Sequence, residues 1–294
     1  MNGLPQLTVA TFNVHCGVDG WGRPFDVAAE CAALDADVLV MQESWTPSGG
    51  GMSTAAVVGH QLGYQVVEEK LATGRIFPPH PSANHRWGPR PRSASLVFRL
   101  DHPNRQYRRN FDRLHPDYSD GTFGLAVLTR VPVSHREVIP LGQLKTDASI
   151  RLAIATTVPL GDGSLTVIGT HMSHLLQRSP VQFKRLRDSL PDPDSFAAVL
   201  TGDMNMWGPP LSAFFPGWRR VIRGRTWPSF RPHSQLDHLL VTPSVAVVDA
   251  KIAERTGSDH LPVRATLARV RPPAGESMSQ TGHHHRPTEC GPRF

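Results

Sequence analysis

The sequence predicts an α+β fold in which two β-sheets stack face to face with helices on the outside. Three observations predict it. The chain has 294 residues, 39% hydrophobic and 19% charged, enough to bury a large core without disulfides. Short apolar runs alternate with a few Ala-rich helical stretches. Strand-like segments far outnumber helical ones, which fits stacked sheets better than one doubly wound sheet.

In chain order, Leu7–Val14 (LTVATFNV) reads as a strand and Phe25–Leu34, introduced by Pro24 and rich in Ala, as a helix. Val38–Glu43 (VLVMQE) is a continuous apolar run suited to a buried strand, and helix and strand recur at Ala55–Leu62 and Tyr64–Lys70. Strands follow at Ser95–Leu100, Phe123–Leu128, Val133–Leu141, Ile150–Val158 and Ser164–Thr170, the last two joined by the turn Gly161-Asp162-Gly163. Ser179 and Pro180 supply an N-cap and a first helical residue for a helix to about Ser189. Ala197–Thr201, Leu236–Thr242, Val245–Ile252 and Val263–Leu267 complete the strands. Past Arg271 the chain turns to Pro, Gly, Ser and His, so residues 1–270 are expected to form one domain and 271–294 a disordered tail.

Lys+Arg 31 against Asp+Glu 25 gives a net charge of +6 and a pI near 9.7. That balance favours anionic partners: nucleic acid, phosphorylated metabolites or acidic headgroups. No run of about 18 apolar residues occurs, so no transmembrane segment is expected. Cys16, Cys31 and Cys290 are widely spaced and match neither a paired disulfide framework nor a zinc motif, and the N-terminus carries no charged, apolar leader. A cytoplasmic monomer is the expectation.

Polar residues able to bind metal close several apolar strands, where scaffolds commonly present chemistry. They are Asn13 after TVATF, Glu43 after VLVMQ, His171 after LTVIGT, Asp203 and Asn205 after AAVLTG, Asp237 within SQLDHLLVT, and Asp259 with His260 before LPVRATL. Singly, each has a plainer reading: a turn for Asn13, a helix cap for Asp203, a half-buried core histidine for His171. Together, Glu43, Asn13 and the Asp203/Asn205 pair supply the oxygen ligands that Mg²⁺ takes beside a substrate phosphate. Zinc would ask for more His or Cys. His171 and His174 stand three apart with no cysteine near them, and His174 reads as structural or substrate-facing. Asp237 and His260 are the candidate carboxylate–imidazole pair for moving protons.

This combination resembles the endonuclease/exonuclease/phosphatase superfamily of metal-dependent phosphoesterases. The resemblance runs from about Leu7 to Leu267 through TFNVHCG, VMQES, GTHMSH, LTGDMNMW, LDHLLVT and GSDHLPV, and GDxN followed by SDHxP is its specific part. It implies a four-layer αββα sandwich with the site at one edge of both sheets. It also implies roles. Glu43 is the principal ligand of Mg²⁺, with Mn²⁺ as an alternative ion, supported by Asn13 and Asp259. Asp203 orients or deprotonates the attacking water, and Asn205 holds the phosphate or that water. His260, paired with Asp237, contacts the scissile phosphate, and His171 stands opposite it. His15 occupies a place where some apurinic endonucleases carry an aspartate, so a second metal site is not expected there, and His171 departs from those repair enzymes, so abasic-site repair is not expected.

Arg151, opening IRLAIATTV, is either a phosphate contact at the same edge or a surface ion-pair partner. Trp227 and Phe230 in TWPSFRP either stack on a base or sugar or cover the core. The most basic stretch runs from Arg75 to Arg113, and within it Arg86, Arg90 and Arg92 alternate with Trp87 and prolines, the composition of a phosphate-tracking arm or of a solvated loop. The expected function is Mg²⁺-dependent hydrolysis of phosphodiesters, with nucleic acid as the leading substrate. An inositol-phosphate, phospholipid or sphingomyelin phosphohydrolase is the alternative enzyme, though no long apolar insertion suits a membrane. A silent nucleic-acid-binding module is the alternative outside enzymes, and the complete set of polar residues argues against it.

Overall fold

The first strand buries apolar residues on both its faces: Leu7 and Val9 belong to one cluster, Ala10 and Phe12 to another. A strand so placed lies between two covering layers, which is why these runs read as nearly continuous apolar sequence. The computed structural model describes residues 4–20, 22–76, 97–98, 119–145, 147, 149–174 and 178–270.

In chain order the strands are β1 (Gln6–Asn13), β2 (Val38–Pro47), β3 (Gln65–Ile76), β4 (Val97–Phe98), β5 (Ser119–Thr129), β6 (His135–Gln143) and β7 (Ile150–Leu160). They continue with β8 (Gly163–His171), β9 (Ala198–Asp203), β10 (Arg219–Arg220), β11 (Asp237–Val241), β12 (Val245–Ile252) and β13 (Val263–Arg269). The helices are α1 (Val27–Leu34), α2 (Thr54–Leu62), α3 (Pro180–Ser189) and α4 (Gly208–Phe214). A seven-stranded sheet runs β12-β13-β1-β2-β5-β3-β4, and a six-stranded one β10-β11-β9-β8-β7-β6.

The core falls into three clusters that define the layers. Val9, Val38, Val40, Ile154, Val167, Val199 and Leu239 fill the space between the sheets. Phe12, Leu39 and Met41 pack under Val27 and Cys31 of α1 and Val58 of α2. Ile168 and Leu200 pack under Phe183 and Leu186 of α3 and Leu211 of α4. The order helix, sheet, sheet, helix is the expected four-layer αββα sandwich. Each fully buried large apolar side chain contributes about 1.5–3 kcal/mol, so three such clusters hold the fold without cross-links. Cys16 and Cys31 are free and buried, and Cys290 lies outside the described residues.

Several boundaries differ from the sequence reading for local reasons. α1 starts at Val27, not at Phe25, because the Asp26 side chain caps it by accepting from the Ala29 N–H at 3.0 Å. Ser179 precedes α3 as expected, but its hydroxyl makes no capping bond. The hairpin between β7 and β8 turns on Gly161 and Asp162, and Gly161 sits at φ +66°, a conformation that favours glycine. α4 is not among the elements expected from the sequence: Gly208, Pro209 and Pro210 look like breakers, whereas Pro in the first turn is compatible with a helix. Of the expected strand Ser95–Leu100, Val97–Phe98 is described, and the expected tail 271–294 lies outside the described residues.

The topology brings strand ends together. β1 and β2 are parallel, with Asn13 opposite Gln42, and β8 and β9 are parallel, with His171 opposite Asp203. β11 runs antiparallel to β9 and starts with Asp237 directly opposite Asp203. Parallel strands deliver their C-terminal ends to one edge, and there the two sheets present polar residues to each other.

Candidate active site

The inward-facing positions at this edge continue the alternation of the core. Val9 and Thr11 are followed by Asn13, and Val199 and Thr201 by Asp203, all of them buried. Gly202, just before Asp203, has φ +146°, and a Cβ there would stand 1.9 Å from the Thr170 carbonyl oxygen of β8. Glycine is required for β9 to lie this close to β8.

Glu43 does not end its strand, as the apolar run suggested. It is the extra residue of a β-bulge in β2, between Gln42 opposite Leu125 and Ser44 opposite Gly124, with φ +58°. A bulge re-aims one side chain out of the alternation, and positive φ at a non-glycine residue stores strain of the kind found at functional sites. The Glu43 carboxylate, 20% exposed, lies 3.3 Å from Asn13 Nδ2 and 4.0 Å from His171 Nε2.

Asp203 is the hub. Its Oδ2 accepts from Asn13 Nδ2 at 3.1 Å, across the two sheets, and stands 3.6 Å from His171 Nε2 and 3.8 Å from His260 Nε2. Its Oδ1 accepts from the Asn205 backbone N–H at 2.8 Å. His260 Nδ1 bonds Asp237 Oδ2 at 2.9 Å. Burial drives the Asp203 carboxyl well above the usual carboxylate range and Asp237 adds to the rise, against the opposing pull of His260 and the bonds from Asn205 and Asn13. Burial works against a charge on His260, but Asp237, Asp203 and Asp259 outweigh it and raise its pKa well above that of an ordinary histidine. His171 goes the other way: burial, then Arg151 and His260, hold it neutral. One site thus contains a histidine held charged and another held uncharged, a division of roles made by environment alone.

Asp259 lies beside this group. Its Oδ2 accepts from Trp227 Nε1–H at 3.1 Å, its Oδ1 is 3.5 Å from His15 Nδ1, and the Trp227 ring is 6.5 Å from that of His260. Trp227 therefore braces two site residues from within the protein, while Phe230 is 50% exposed and His174 lies on the surface. Asn205 points its Nδ2 at the Met172 carbonyl, 2.9 Å away. Arg151 is buried, its Nε 2.8 Å from Asp147 Oδ2 and its Nη1 3.3 Å from the His171 carbonyl oxygen: of the two sequence readings the ion pair is the one found, inside the protein and not at its surface. Arg86, Arg90 and Arg92 lie outside the described residues.

The residues present fit a hard divalent cation. Asp237 Oδ1 and Asp259 Oδ1 are buried without a hydrogen-bond partner, and Asp203, Asp237 and His260 each bring a potential ligand atom to within 4.8 Å of the others. With Glu43, four carboxylates gather against one charged imidazole, an excess of negative charge that a cation offsets. The oxygen-rich donor set suits Mg²⁺ or Mn²⁺ better than zinc. The buried thiol of Cys16 adds no soft ligand, because burial, then Glu43 and Asp259, push its pKa up and keep it protonated.

Sequence reasoning missed Asp147 and Ser173. In TDAS and HMSH they look like turn residues, yet both are buried and hydrogen-bonded to each other beside His171. The one available signal was an acidic residue four positions before an arginine that opens a strand.

A sequence profile described as the Endonuclease/Exonuclease/phosphatase family matches residues 10–260. Among solved structures, an endonuclease/exonuclease/phosphatase from Beutenbergia cavernae DSM 12333 superposes with a TM-score of 0.60 at 21% identity, over 90% of this chain and 72% of that one. The human Nocturnin catalytic domain, solved with a bound sulfate anion, gives 0.58 at 15% identity over 92% and 97% of the two chains. A humanized D. rerio TDP2 gives 0.53 at 14% identity over 89% and 98%. At these identities the likeness is one of fold. No curated protein matches the chain. Among the described residues no helix is long and apolar enough to cross a membrane.

Proposed function

We propose that this chain, which belongs to the endonuclease/exonuclease/phosphatase family, is a divalent-metal-dependent phosphodiesterase acting on nucleic acid, with residues 1–270 as its catalytic domain. The observation that carries the reading is the convergence on Asp203 of Asn13, His171 and the His260–Asp237 pair, with Glu43 alongside.

A carboxyl group raised toward neutrality is suited to take a proton from an attacking water, and the Asn13 amide and the Asn205 N–H hold Asp203 in place for it. His260, kept charged by Asp237, offers a donor to the negative charge that grows on the phosphate oxygens. His171, uncharged, directs its Nε2 into the same space. An imidazolium cannot ligate a metal, which favours Glu43 with Asn13 and Asp259 as the residues that would hold the ion. When bound, Mg²⁺ or Mn²⁺ would polarise the phosphate and neutralise part of its charge.

The nucleic-acid substrate is supported by the net charge of +6 and by the arginines between Arg75 and Arg113. The sulfate on the Nocturnin domain is a tetrahedral oxyanion held by a related fold. A Mg²⁺-dependent hydrolysis panel of single- and double-stranded DNA, RNA, inositol phosphates and sphingomyelin tests the proposal. Cleavage of a polynucleotide is the expected result; turnover of only the small or lipid phosphates overturns the substrate class, and no metal-dependent turnover at all overturns the enzyme. Replacing Arg86, Arg90 and Arg92 with Ala should weaken polymer binding and flatten its dependence on log salt by about 0.7–0.9 per lost contact. Hydrolysis of bis-p-nitrophenyl phosphate should be unaffected.

A further inference from the structure

The backbone that carries His171 is clamped by buried polar groups. The His171 carbonyl accepts from Arg151 Nη1 at 3.3 Å. The Met172 N–H donates to the Asp203 carbonyl at 3.0 Å, and the Met172 carbonyl accepts from Asn205 Nδ2 at 2.9 Å. The Ser173 N–H donates to Gln182 Oε1 of α3 at 3.0 Å, and the Ser173 hydroxyl bonds Asp147. Arg151, Asp147, Ser173 and Gln182 are all buried. The imidazole has no such anchor of its own: Nδ1 is buried without a hydrogen-bond partner, and Nε2 stands 3.6 Å from Asp203 and 4.0 Å from Glu43. A ring without its own hydrogen bonds takes its position from its backbone.

We infer that Asp147 is a positioning residue for His171, acting through Arg151 and Ser173 to hold the imidazole against Asp203 and Glu43. The effect on rate rests on the phosphodiesterase reading; the effect on the ring does not. Asp147 is suited to the task because it ties three partners together: the Ser149 N–H at 2.9 Å, Arg151 Nε at 2.8 Å and the Ser173 hydroxyl. Removing its charge leaves Arg151 a buried cation without its counter-ion, which is the costly way to break such a pair. The guanidinium then has reason to turn away from the His171 carbonyl, and the segment is freed at two of its bonds.

The test compares Asp147→Asn, Arg151→Lys, His171→Ala and the double variant Asp147→Asn/His171→Ala on bis-p-nitrophenyl phosphate with Mg²⁺. Asp147→Asn should lower kcat by about 10- to 100-fold with KM within about twofold, since a misplacement of about 1 Å in a catalytic group costs on the order of 10²-fold. In the His171→Ala background the same change should cost nothing further, because the group it positions is gone. Arg151→Lys keeps the charge but cannot fork between Asp147 and the carbonyl, and should give a smaller loss. Equal losses in both backgrounds, or a loss in KM alone, overturn the inference. A second readout does not depend on turnover. In spectra of ¹³C-histidine-labelled protein, the His171 ring signal, assigned by its disappearance in His171→Ala, should shift or broaden in Asp147→Asn while those of the exposed His60 and His135 stay put. Should Asp147→Asn fail to fold, Arg151→Lys carries the same measurement. An unmoved His171 signal overturns the inference. A moved signal together with a wild-type protein that hydrolyses nothing overturns the phosphodiesterase reading and leaves the clamp standing.

Discussion

Asp147 and Asp203 are both buried carboxylates beside His171, and they differ in every property that matters. Burial pushes each upward, yet Asp147 ends at about 2, held down by Arg151, the Ser173 hydroxyl and the Ser149 N–H, while Asp203 ends well above the usual range. Asp203 receives only an amide and one backbone N–H, and Asp237 sits next to it as a like charge. Asp203 is the more deeply desolvated of the two as well as the poorer in donors, and both differences separate the regions. A carboxylate saturated with donors serves as scaffold; one left short of them, among neighbours with orphaned oxygens, is available for proton and cation chemistry.

The contrast breaks most completely where the cation is removed. Glu43→Ala, or chelation of the wild type, should reduce metal-dependent turnover to background with the fold retained, as read by bis-p-nitrophenyl phosphate hydrolysis, circular dichroism and Mn²⁺ titration calorimetry. Unchanged turnover at saturating Mg²⁺ in Glu43→Ala would remove Glu43 from the site. Asp203→Asn should lower kcat by about 10²- to 10⁴-fold. Adding His260→Ala should cost little beyond the worse single variant, because the two act as a unit. Strictly multiplicative losses would separate them.

Stability against pH sharpens the comparison with the smallest effect. Asp147 is lower in the folded state than its ordinary value near 3.9, so its contribution is complete above that value and is lost as pH falls toward about 2. The loss is about 2 kcal/mol, and Asp147→Asn should flatten that limb of the urea-midpoint curve. Asp203 has the opposite sign. Its folded value is raised, so the stability it lends at low pH disappears as pH rises through its folded pKa. Measured with a chelator present, Asp203→Asn should therefore gain on the wild type toward neutral pH. A parallel response of the two variants would mean that donor supply does not distinguish the sites.

The regular parts of the fold were legible because period and turn chemistry are local. The boundaries of β12 match the expected Val245–Ile252, and the hairpin at Gly161 and Asp162 falls where expected. The site residues were legible as polar breaks after apolar strands, and the structure gathers Asn13, Glu43, His171, Asp203, Asp237, Asp259 and His260 at one edge. What the sequence hid depends on tertiary partners. Nothing local distinguishes Asp147 in TDAS from a surface turn, because its burial comes from Arg151 and Ser173 on other elements. Arg151 was misplaced for the same reason, since a strand-opening arginine looks alike whether it meets solvent or a buried carboxylate. Trp227 offered two readings, and its bond to Asp259 is a third, set by a loop that meets the chain 32 residues later.

The bulge at Glu43 also divides β2 into two phases. Before it the even-numbered Val38 and Val40 face the opposite sheet; after it the odd-numbered Trp45 does, while Ser44 turns outward to accept from the Ala55 N–H of α2. Deleting residue 43 would therefore take away the bulge and not the phase: Ser44 would follow Gln42 directly, still opposite Gly124 and toward α2, and Trp45 would still face the opposite sheet. An insertion or deletion elsewhere in β2 has no such slack, since a shift of one residue turns every later side chain to the other face. The strand thus tolerates loss of its functional residue better than loss of a structural one.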